Sequence, residues 1–359
     1  MSRSGDSRLV DWGLCQRIAM TIARSGAEPR SAPPDEVGRA AERAVTSVAE
    51  YTGLEPRTEI PPPETVDRAQ WVRANVSAFR GMSERVEGRL AASIRLPEPG
   101  RSIVTGLTGR VAGAQVGLAL GYVGRKVLGQ YDVALIGPAR PPRLLFVGPN
   151  LAEAQRRLGE PRDLLLTWIA LHEATHAFQF ASVPWLREHL GEMIEALLDS
   201  ASVAPGPSEL RRALRRLVPP PDPRRLAAYL REGGVVRLLA GPRQADILRR
   251  LQAAMSVVEG YSEHVMDAIG AGLDPGYARL RRAVDAERDR RGRLDAVIAT
   301  LLGLDAKLRQ YRLGKQFADA VAERSGIEGL NEVWRAPDAL PDLDELEHPD
   351  RWVDRVAVG

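Results

Sequence analysis

One stretch of the sequence constrains the fold more than any other, the largely apolar segment Leu164–Phe180. At its centre lies an HExxH motif that begins at His172 and ends at His176. Residues four apart lie on the same face of an α-helix, so both histidines can present an imidazole nitrogen to one metal ion. Glu173 lies about 100° further round the helix, close enough to reach a water molecule on that ion. The spacing therefore predicts a helix that carries two metal ligands and a general base.

The residues before the motif favour a buried helix. Asp163 stands at a position typical of a helix N-cap and follows Pro161, and the run Leu164–Ala170 is almost wholly apolar. Two histidines that are hydrogen-bonded within the core are the alternative interpretation. Burying two imidazoles and a carboxylate without a partner is costly, however, and one metal ion would serve all three. The sequence therefore favours a metal site, with one zinc ion per chain.

A zinc site needs at least one further protein ligand. The extended pattern HExxHxxGxxH would require glycine at position 179 and histidine at position 182, where the chain has Gln179 and Ser182. A carboxylate from a second helix remains, and Glu259 is the best candidate. It follows two valines, so it is expected to be buried, and a buried carboxylate requires a reason. We therefore predict His172, His176 and Glu259 as the metal ligands.

Glu263 lies one turn after Glu259, on the same predicted helix face. The pair predicts that Glu259 binds the metal while Glu263 orients a ligand histidine. It would accept a hydrogen bond from the remaining imidazole N–H of His172 or His176 and so fix the tautomer of that ring. Two alternatives stay open: Glu263 is a solvated helix charge, or the third ligand is Glu263 or His264. A direction about 140° away from Glu259 on the helix disfavours His264.

Three other side chains are candidates to stabilise an oxyanion. They carry a polar hydrogen and lie in segments next to the predicted site: His264, Tyr261 and Tyr131. Nothing in the sequence ranks one of them above the others.

The strand signals are sparse. Val133–Ile136 and Leu144–Val147 flank a proline-rich loop and predict a hairpin directly before the HExxH helix. An exposed strand edge beside a metal site can bind an extended peptide by strand addition. A small sheet that only closes the core is an equally good interpretation.

Helical patterns dominate the rest of the chain, which predicts a mainly helical α+β fold. We expect a disordered tail over residues 1–8 and one domain over residues 9–359, with a helical part up to about 130 and a catalytic part over about 131–335. The predicted helices are Val10–Ser25, Asp35–Tyr51, Ala69–Leu90, a glycine-rich helix ending at Gly124 or Gly129, Leu186–Ala201, Gln244–Ile269, and one or two within Ala278–Ser325.

Four glycines recur every four residues in the glycine-rich helix, at positions 109, 113, 117 and 121. This spacing makes one helix face smooth and suits close helix packing. The most apolar part, Val111–Val123, is too short to span a bilayer and contains Gln115, so a core helix is favoured over a membrane contact.

Composition excludes some classes of function. The net charge of +3 is small for 359 residues, and no basic stripe is interleaved with aromatic residues, so nucleic-acid binding is not expected. Cys15 is the only cysteine, which rules out an intrachain disulfide. The N-terminus lacks the apolar region of a signal peptide, so we expect a cytoplasmic protein without a transmembrane segment.

Four segments carry a resemblance to a known family: HEATHAFQF, EGYSEHVMD, LGQYD at Leu128–Asp132 and VDRAQWVRANV at Val66–Val76. They resemble the zincin-like metallopeptidase type 2 family of actinobacteria, whose members are labelled as hydrolases or as proteins associated with deazaflavin-coenzyme biosynthesis. The resemblance extends from about Val10 to Val356. It implies a zincin-like α+β core with a small sheet beside the HExxH helix, and no particular substrate.

These observations together predict a zinc-dependent hydrolase, in the first place a metallopeptidase that uses a zinc-bound water activated by Glu173. Its substrate would be a peptide or another amide. Two alternatives remain: a non-catalytic scaffold or binding protein with a zincin fold, and a metal-dependent amidohydrolase in coenzyme biosynthesis.

Overall fold

The computed structural model describes residues 10–25, 31–93, 100–137, 140–201, 242–289 and 304–358. The chain divides into two compact units, a first unit of residues 1–43 and 61–173 and a second unit of residues 44–60 and 174–359. The predicted tail over residues 1–8 lies outside the described residues. The prediction of a single domain with a division near residue 130 stays a prediction.

Helices and a small sheet make up the first unit. In chain order its elements are α1 (Trp12–Ala23), the first half of α2 (Pro34–Thr52), β1 (Pro63–Val66), α3 (Arg68–Ser93), α4 (Gly100–Gly124), β2 (Gly129–Asp132), β3 (Arg143–Val147), α5 (Gly148–Leu158) and the first part of α6 (Arg162–Ser182). The predicted helices over this part of the chain are confirmed to within a few residues.

The three strands form one sheet in the order β1-β3-β2. The central strand β3 is nearly fully buried, pairs parallel with β1 and pairs antiparallel with β2. The prediction of β3 is confirmed. The prediction of a strand at Val133–Ile136 is wrong, because the strand that pairs with β3 there is β2, which ends at Asp132. Contacts outweigh propensity here: the Val147 amide donates to the Leu128 carbonyl, and β2 packs on α6 through Gly129.

The glycine-rich helix α4 packs against α1, as its spacing predicted. A Cβ atom at Gly113 would lie 2.4 Å from the Asp11 carbonyl oxygen, and one at Gly117 would lie 2.6 Å from the Cys15 carbonyl oxygen. Only glycine permits this approach of the two backbones. The apolar core of this unit lies beneath the contact and includes Trp12, Cys15, Ala19, Trp71, Val72, Leu120, Leu145 and Val147. Within the described ranges, no helix combines the length and the apolar character that crossing a membrane requires.

The second unit is helical in the part that the structure describes. Its elements are the remainder of α2 and α6, α7 (Pro184–Ala201), α8 (Pro242–Leu273), α9 (Tyr277–Asp289), α10 (Leu304–Asn331), two short 3₁₀ turns (Glu332–Trp334 and Pro337–Ala339), α11 (Leu343–Glu347) and α12 (Pro349–Val358).

Helices α8 and α10 cross where each carries a glycine. A Cβ atom at Gly260 would lie 2.0 Å from the Gly314 carbonyl carbon, and one at Gly314 would lie 1.8 Å from the Ser256 carbonyl oxygen. Side chains are therefore excluded from the crossing point, which directly follows Glu259 in the sequence.

The helix predicted over Gln244–Ile269 is confirmed, and α8 continues past Gly270 to Leu273. Gly270 allows close packing, because a Cβ atom there would lie 2.0 Å from the ring of Tyr277. The C-terminal segment is held by Trp352, which is 1% exposed and donates its indole N–H to the Ala339 carbonyl over 2.7 Å. The proline-rich segment between α7 and α8 lies outside the described residues.

Candidate metal centre

Helix α6 carries the HExxH motif within an apolar environment. Leu165, Leu171 and Ala174 are fully buried, so the helix is enclosed on most sides and its polar residues must find partners inside the protein. The predicted helix is confirmed, with its first residue at Arg162.

The three predicted ligand residues lie together. A ring nitrogen from each of His172 and His176 and a carboxylate oxygen of Glu259 all lie within 4.8 Å of one another, and all three residues are partly exposed. The Nε2 atom of His176 lies 3.5 Å from a Glu259 carboxylate oxygen. Helix α8 thus brings Glu259 to the second histidine of the motif.

The separation between His176 and Glu259 fits a shared metal ion. Zinc bonds of about 2.1 Å to nitrogen and oxygen at a tetrahedral angle would place the two ligand atoms roughly 3.4 Å apart. A direct hydrogen bond between a charged imidazole and a carboxylate would be shorter, about 2.7–2.9 Å. Two imidazoles and one carboxylate are also a donor set found in zinc hydrolases. The residues present therefore fit a zinc ion.

The other ring nitrogen of His176 contacts two buried polar side chains. Its Nδ1 atom lies 2.9 Å from Gln179 Oε1 and 3.2 Å from Ser262 Oγ. Both partners have no exposed surface. No sequence pattern indicates a role for either residue, although Gln179 stands three residues after His176, on the same side of the helix.

The carboxylate of Glu173 is buried against strand β2. Glu173 is 6% exposed, and its Oε2 atom accepts a hydrogen bond of 2.8 Å from the backbone N–H of Tyr131. A Cβ atom at Gly129 would lie 2.6 Å from Glu173 Cγ, so the side chain occupies space that only glycine leaves open. The sheet therefore holds the carboxylate in one orientation.

The carboxylate of Glu263 contacts a cation from another helix. It lies 2.5 Å from the Arg281 guanidinium, which comes from α9, and it is only 5% exposed. The orienting contacts at His176 Nδ1 come from Gln179 and Ser262. The role of Glu263 in orienting His172 or His176 stays a prediction.

His264 takes part in a hydrogen-bonded chain of its own. Its Nδ1 atom lies 2.8 Å from Asp319 Oδ1, and its Nε2 atom lies 2.9 Å from the Tyr51 hydroxyl. Burial alone would raise the pKa of Asp319, but hydrogen bonds and charge from His264 and Lys315 outweigh burial and lower it. An ionised Asp319 accepts a hydrogen bond from the Nδ1–H of His264.

The other two candidates for oxyanion stabilisation differ in their surroundings. Tyr261 is fully buried and its hydroxyl donates to Asn331 Oδ1 over 2.7 Å, which commits its proton to a core contact. Burial raises the pKa of Tyr131 to about 12, so its hydroxyl keeps its proton at neutral pH. Tyr131 therefore stays a candidate, and it is the one whose backbone contacts Glu173.

Comparison with known proteins places the chain in a family. Residues 10–353 match the family described as zincin-like metallopeptidase. The chain belongs to that family. Among curated proteins, none matches the sequence.

The chain also resembles a solved structure over nearly its whole length. The zincin-like chain is similar to a protein from Chloroflexus aurantiacus that is described as a "putative hydrolase with a novel fold". The two chains are 27% identical, the match covers 97% of this chain and 99% of the other, and the TM-score is 0.67. The likeness thus extends over both units of this zincin-like protein.

Proposed function

We propose that this protein is a zinc-dependent peptidase in which His172, His176 and Glu259 hold the metal and Glu173 is the general base. One observation carries the proposal: the three ligand atoms converge within 4.8 Å, and the glutamate of the motif is buried on the same turn of α6. The family and the hydrolase-like neighbour support a hydrolase in general.

A bound zinc ion would supply Lewis acidity, which acidifies a water molecule and polarises a carbonyl group. Glu173 accepts the proton of the attacking water and passes it to the leaving nitrogen. The N–H of Tyr131 holds one carboxylate oxygen in place, so the base does not have to be ordered during the reaction.

The position of β2 supports a peptide as the substrate. This strand lies at the edge of the sheet, and its Tyr131 amide contacts Glu173. The Tyr131 N–H is taken by Glu173, so an extended peptide added to this edge would pair with other main-chain groups of β2, and its carbonyl groups would lie beside the base.

The alternative of a non-catalytic scaffold has less support. A structural zinc usually has four protein ligands, whereas the group found in the described part of the chain has three. A structural site would also have no need of a carboxylate at position 173. The amidohydrolase alternative shares the metal chemistry and differs only in its substrate.

The first experiment measures zinc content and peptide cleavage together. Purified wild-type protein and the Glu173→Gln variant are assayed by elemental analysis and against a broad peptide library, with and without a chelator. We expect about one zinc per chain in both proteins and chelator-sensitive cleavage by the wild type alone. Protein that neither contains nor takes up zinc would refute the metal site. Zinc-loaded protein that cleaves no peptide, but hydrolyses other amides, would favour the amidohydrolase.

A further inference from the structure

Gln179 joins the two helices that supply ligands from the second unit. It lies on α6 with no exposed surface, and both ends of its side-chain amide have partners. Its Oε1 atom lies 2.9 Å from His176 Nδ1, and its Nε2 atom donates to the Val258 carbonyl oxygen of α8 over 2.9 Å.

The Val258 carbonyl determines which way the amide of Gln179 points. A carbonyl oxygen only accepts hydrogen bonds, so the NH₂ group must face Val258 and the amide oxygen must face His176. That oxygen is also only an acceptor, and His176 Nδ1 must therefore carry a proton. In the neutral ring the Nε2 atom is then unprotonated, which is the form that binds a metal.

Ser262 supports the same tautomer. Its hydroxyl has one proton, and two acceptors lie within reach: the Val258 carbonyl oxygen at 3.1 Å and Gln179 Oε1 at 3.4 Å. With that proton donated to either oxygen, the Ser262 oxygen accepts from His176 Nδ1, which lies 3.2 Å away.

We propose that Gln179 is the positioning residue of this metal centre. It fixes His176 as the tautomer in which Nε2 is unprotonated and directed at Glu259, and it takes its own orientation from the residue directly before Glu259. The second histidine and the third ligand are thereby held by one hydrogen-bonded group before any metal arrives. The inference deepens the proposed function and rests on it for the identity of the metal.

The test compares variants that separate the two ends of the amide. Gln179→Leu removes both hydrogen bonds, whereas Gln179→Glu keeps an acceptor for Nδ1–H and loses the donor to Val258. Ser262→Ala removes only the second acceptor. Ser256→Ala is the matched control, because Ser256 is a buried serine on the same helix whose hydroxyl bonds the Gln252 carbonyl.

Two properties are measured on the full-length protein. Zinc affinity is obtained by competition with a chromogenic chelator, and the tautomers of the five histidines in metal-free protein are read by ¹⁵N NMR. We expect Gln179→Leu to bind zinc about 10–100-fold more weakly and to show both tautomers at His176. Gln179→Glu restores the single tautomer with a lower melting temperature, Ser262→Ala has a smaller effect of the same kind, and Ser256→Ala matches the wild type.

The outcomes distinguish this inference from the proposed function. A Gln179→Leu variant with wild-type zinc affinity, or with weaker affinity and an unchanged tautomer at His176, would overturn the positioning role. If the wild type binds no zinc, the proposed function fails, and the NMR spectra of metal-free protein still decide whether Gln179 sets the tautomer.

Discussion

His176 and His264 lie on neighbouring helices of the second unit and are buried to the same degree, with side chains 13% and 12% exposed. Their nitrogens meet different groups. Those of His264 contact Asp319 and Tyr51 at 2.8 and 2.9 Å, which are ordinary hydrogen-bond distances. His176 has such a contact at Nδ1, but its Nε2 atom faces the Glu259 carboxylate at 3.5 Å.

The difference supports the proposal that His176 is a metal ligand and that His264 is a structural histidine. The His264 ring is satisfied by protein groups, so a metal ion would have to displace one of them. At His176 the protein directs an imidazole nitrogen and a carboxylate toward the same point and leaves between them the spacing of a shared ion. This contrast argues against His264 as the third ligand and as an oxyanion stabiliser.

Removing each histidine in turn tests this difference most directly and should give the largest effect. We expect His176→Ala to lower the zinc content from about one per chain to almost none, because one of the three proposed ligands is lost. His264→Ala should keep its zinc and lose roughly 1–3 kcal/mol of stability, since Tyr51 and Asp319 lose a partner. Elemental analysis and urea denaturation measure the two effects.

Equal zinc content in the two variants would contradict the distinction between the histidines. Glu259→Ala serves as the matched test on the other side of the site, and it should lose zinc as His176→Ala does. Circular dichroism of every variant shows whether the loss reflects unfolding.

A second pair of variants asks whether Glu263 serves Arg281 or a ligand histidine. Arg281→Met leaves the buried Glu263 carboxylate without its cation and should destabilise the fold by about 3–5 kcal/mol. Glu263→Gln should cost less, because it removes the charge along with the pair. If Glu263 serves Arg281 and not a ligand, zinc affinity stays at the wild-type value in Glu263→Gln, as measured by chelator competition.

A zinc affinity that falls about 10–100-fold in Glu263→Gln would instead support the predicted role of Glu263 as the residue that orients His172 or His176. The stability measurement keeps the two explanations apart, because loss of the ion pair changes the unfolding midpoint whether or not zinc is bound.

The smallest substitution, Gly129→Ala, tests whether Glu173 acts as the base at the proposed metal site. Gly129→Ala places a methyl group where Glu173 Cγ and Oε1 lie, 2.6 and 2.8 Å from the new Cβ position. We expect kcat to fall about 10–100-fold while zinc content is unchanged, because the base moves and the ligands do not. Gly81→Ala is the control, since a Cβ atom at Gly81 meets nothing within 4 Å. Undiminished kcat would mean that the position of Glu173 is not set by β2.

The sequence was most informative where chemistry imposes a spacing. Two histidines four residues apart predicted the helix, and the two valines before Glu259 drew attention to its carboxylate. The structure brings that carboxylate to 3.5 Å from His176, although its side chain is partly exposed and not buried as expected. Both inferences rest on local spacing and on the cost of placing a charge next to apolar residues.

Other parts of the site depend on contacts between distant segments. Gln179 was noticed only because it excluded an extended motif, and its role depends on a carbonyl of α8 that no local pattern indicates. The strand before β3 was predicted at Val133–Ile136, because this apolar run has the stronger strand propensity. Pairing with β3 selects the more polar segment Gly129–Asp132 instead. Glu263 was assigned from helix spacing, which cannot reveal Arg281 on another helix.

The crossing of α8 and α10 makes the position of Glu259 depend on a glycine, Gly260, which has no side chain. Glycine in the middle of a helix lowers helix stability by about 1 kcal/mol relative to alanine. Gly260 and Gly314 nevertheless stand at the crossing, because only glycine lets the two backbones touch beside Glu259. Neither position tolerates even a methyl group without displacing the helix that carries the carboxylate. In a library selected for activity, Gly260 should therefore be as intolerant of substitution as the ligand beside it. Mutational sensitivity alone would then identify Gly260 as a functional residue, although it has no side chain that could bind a metal or a substrate.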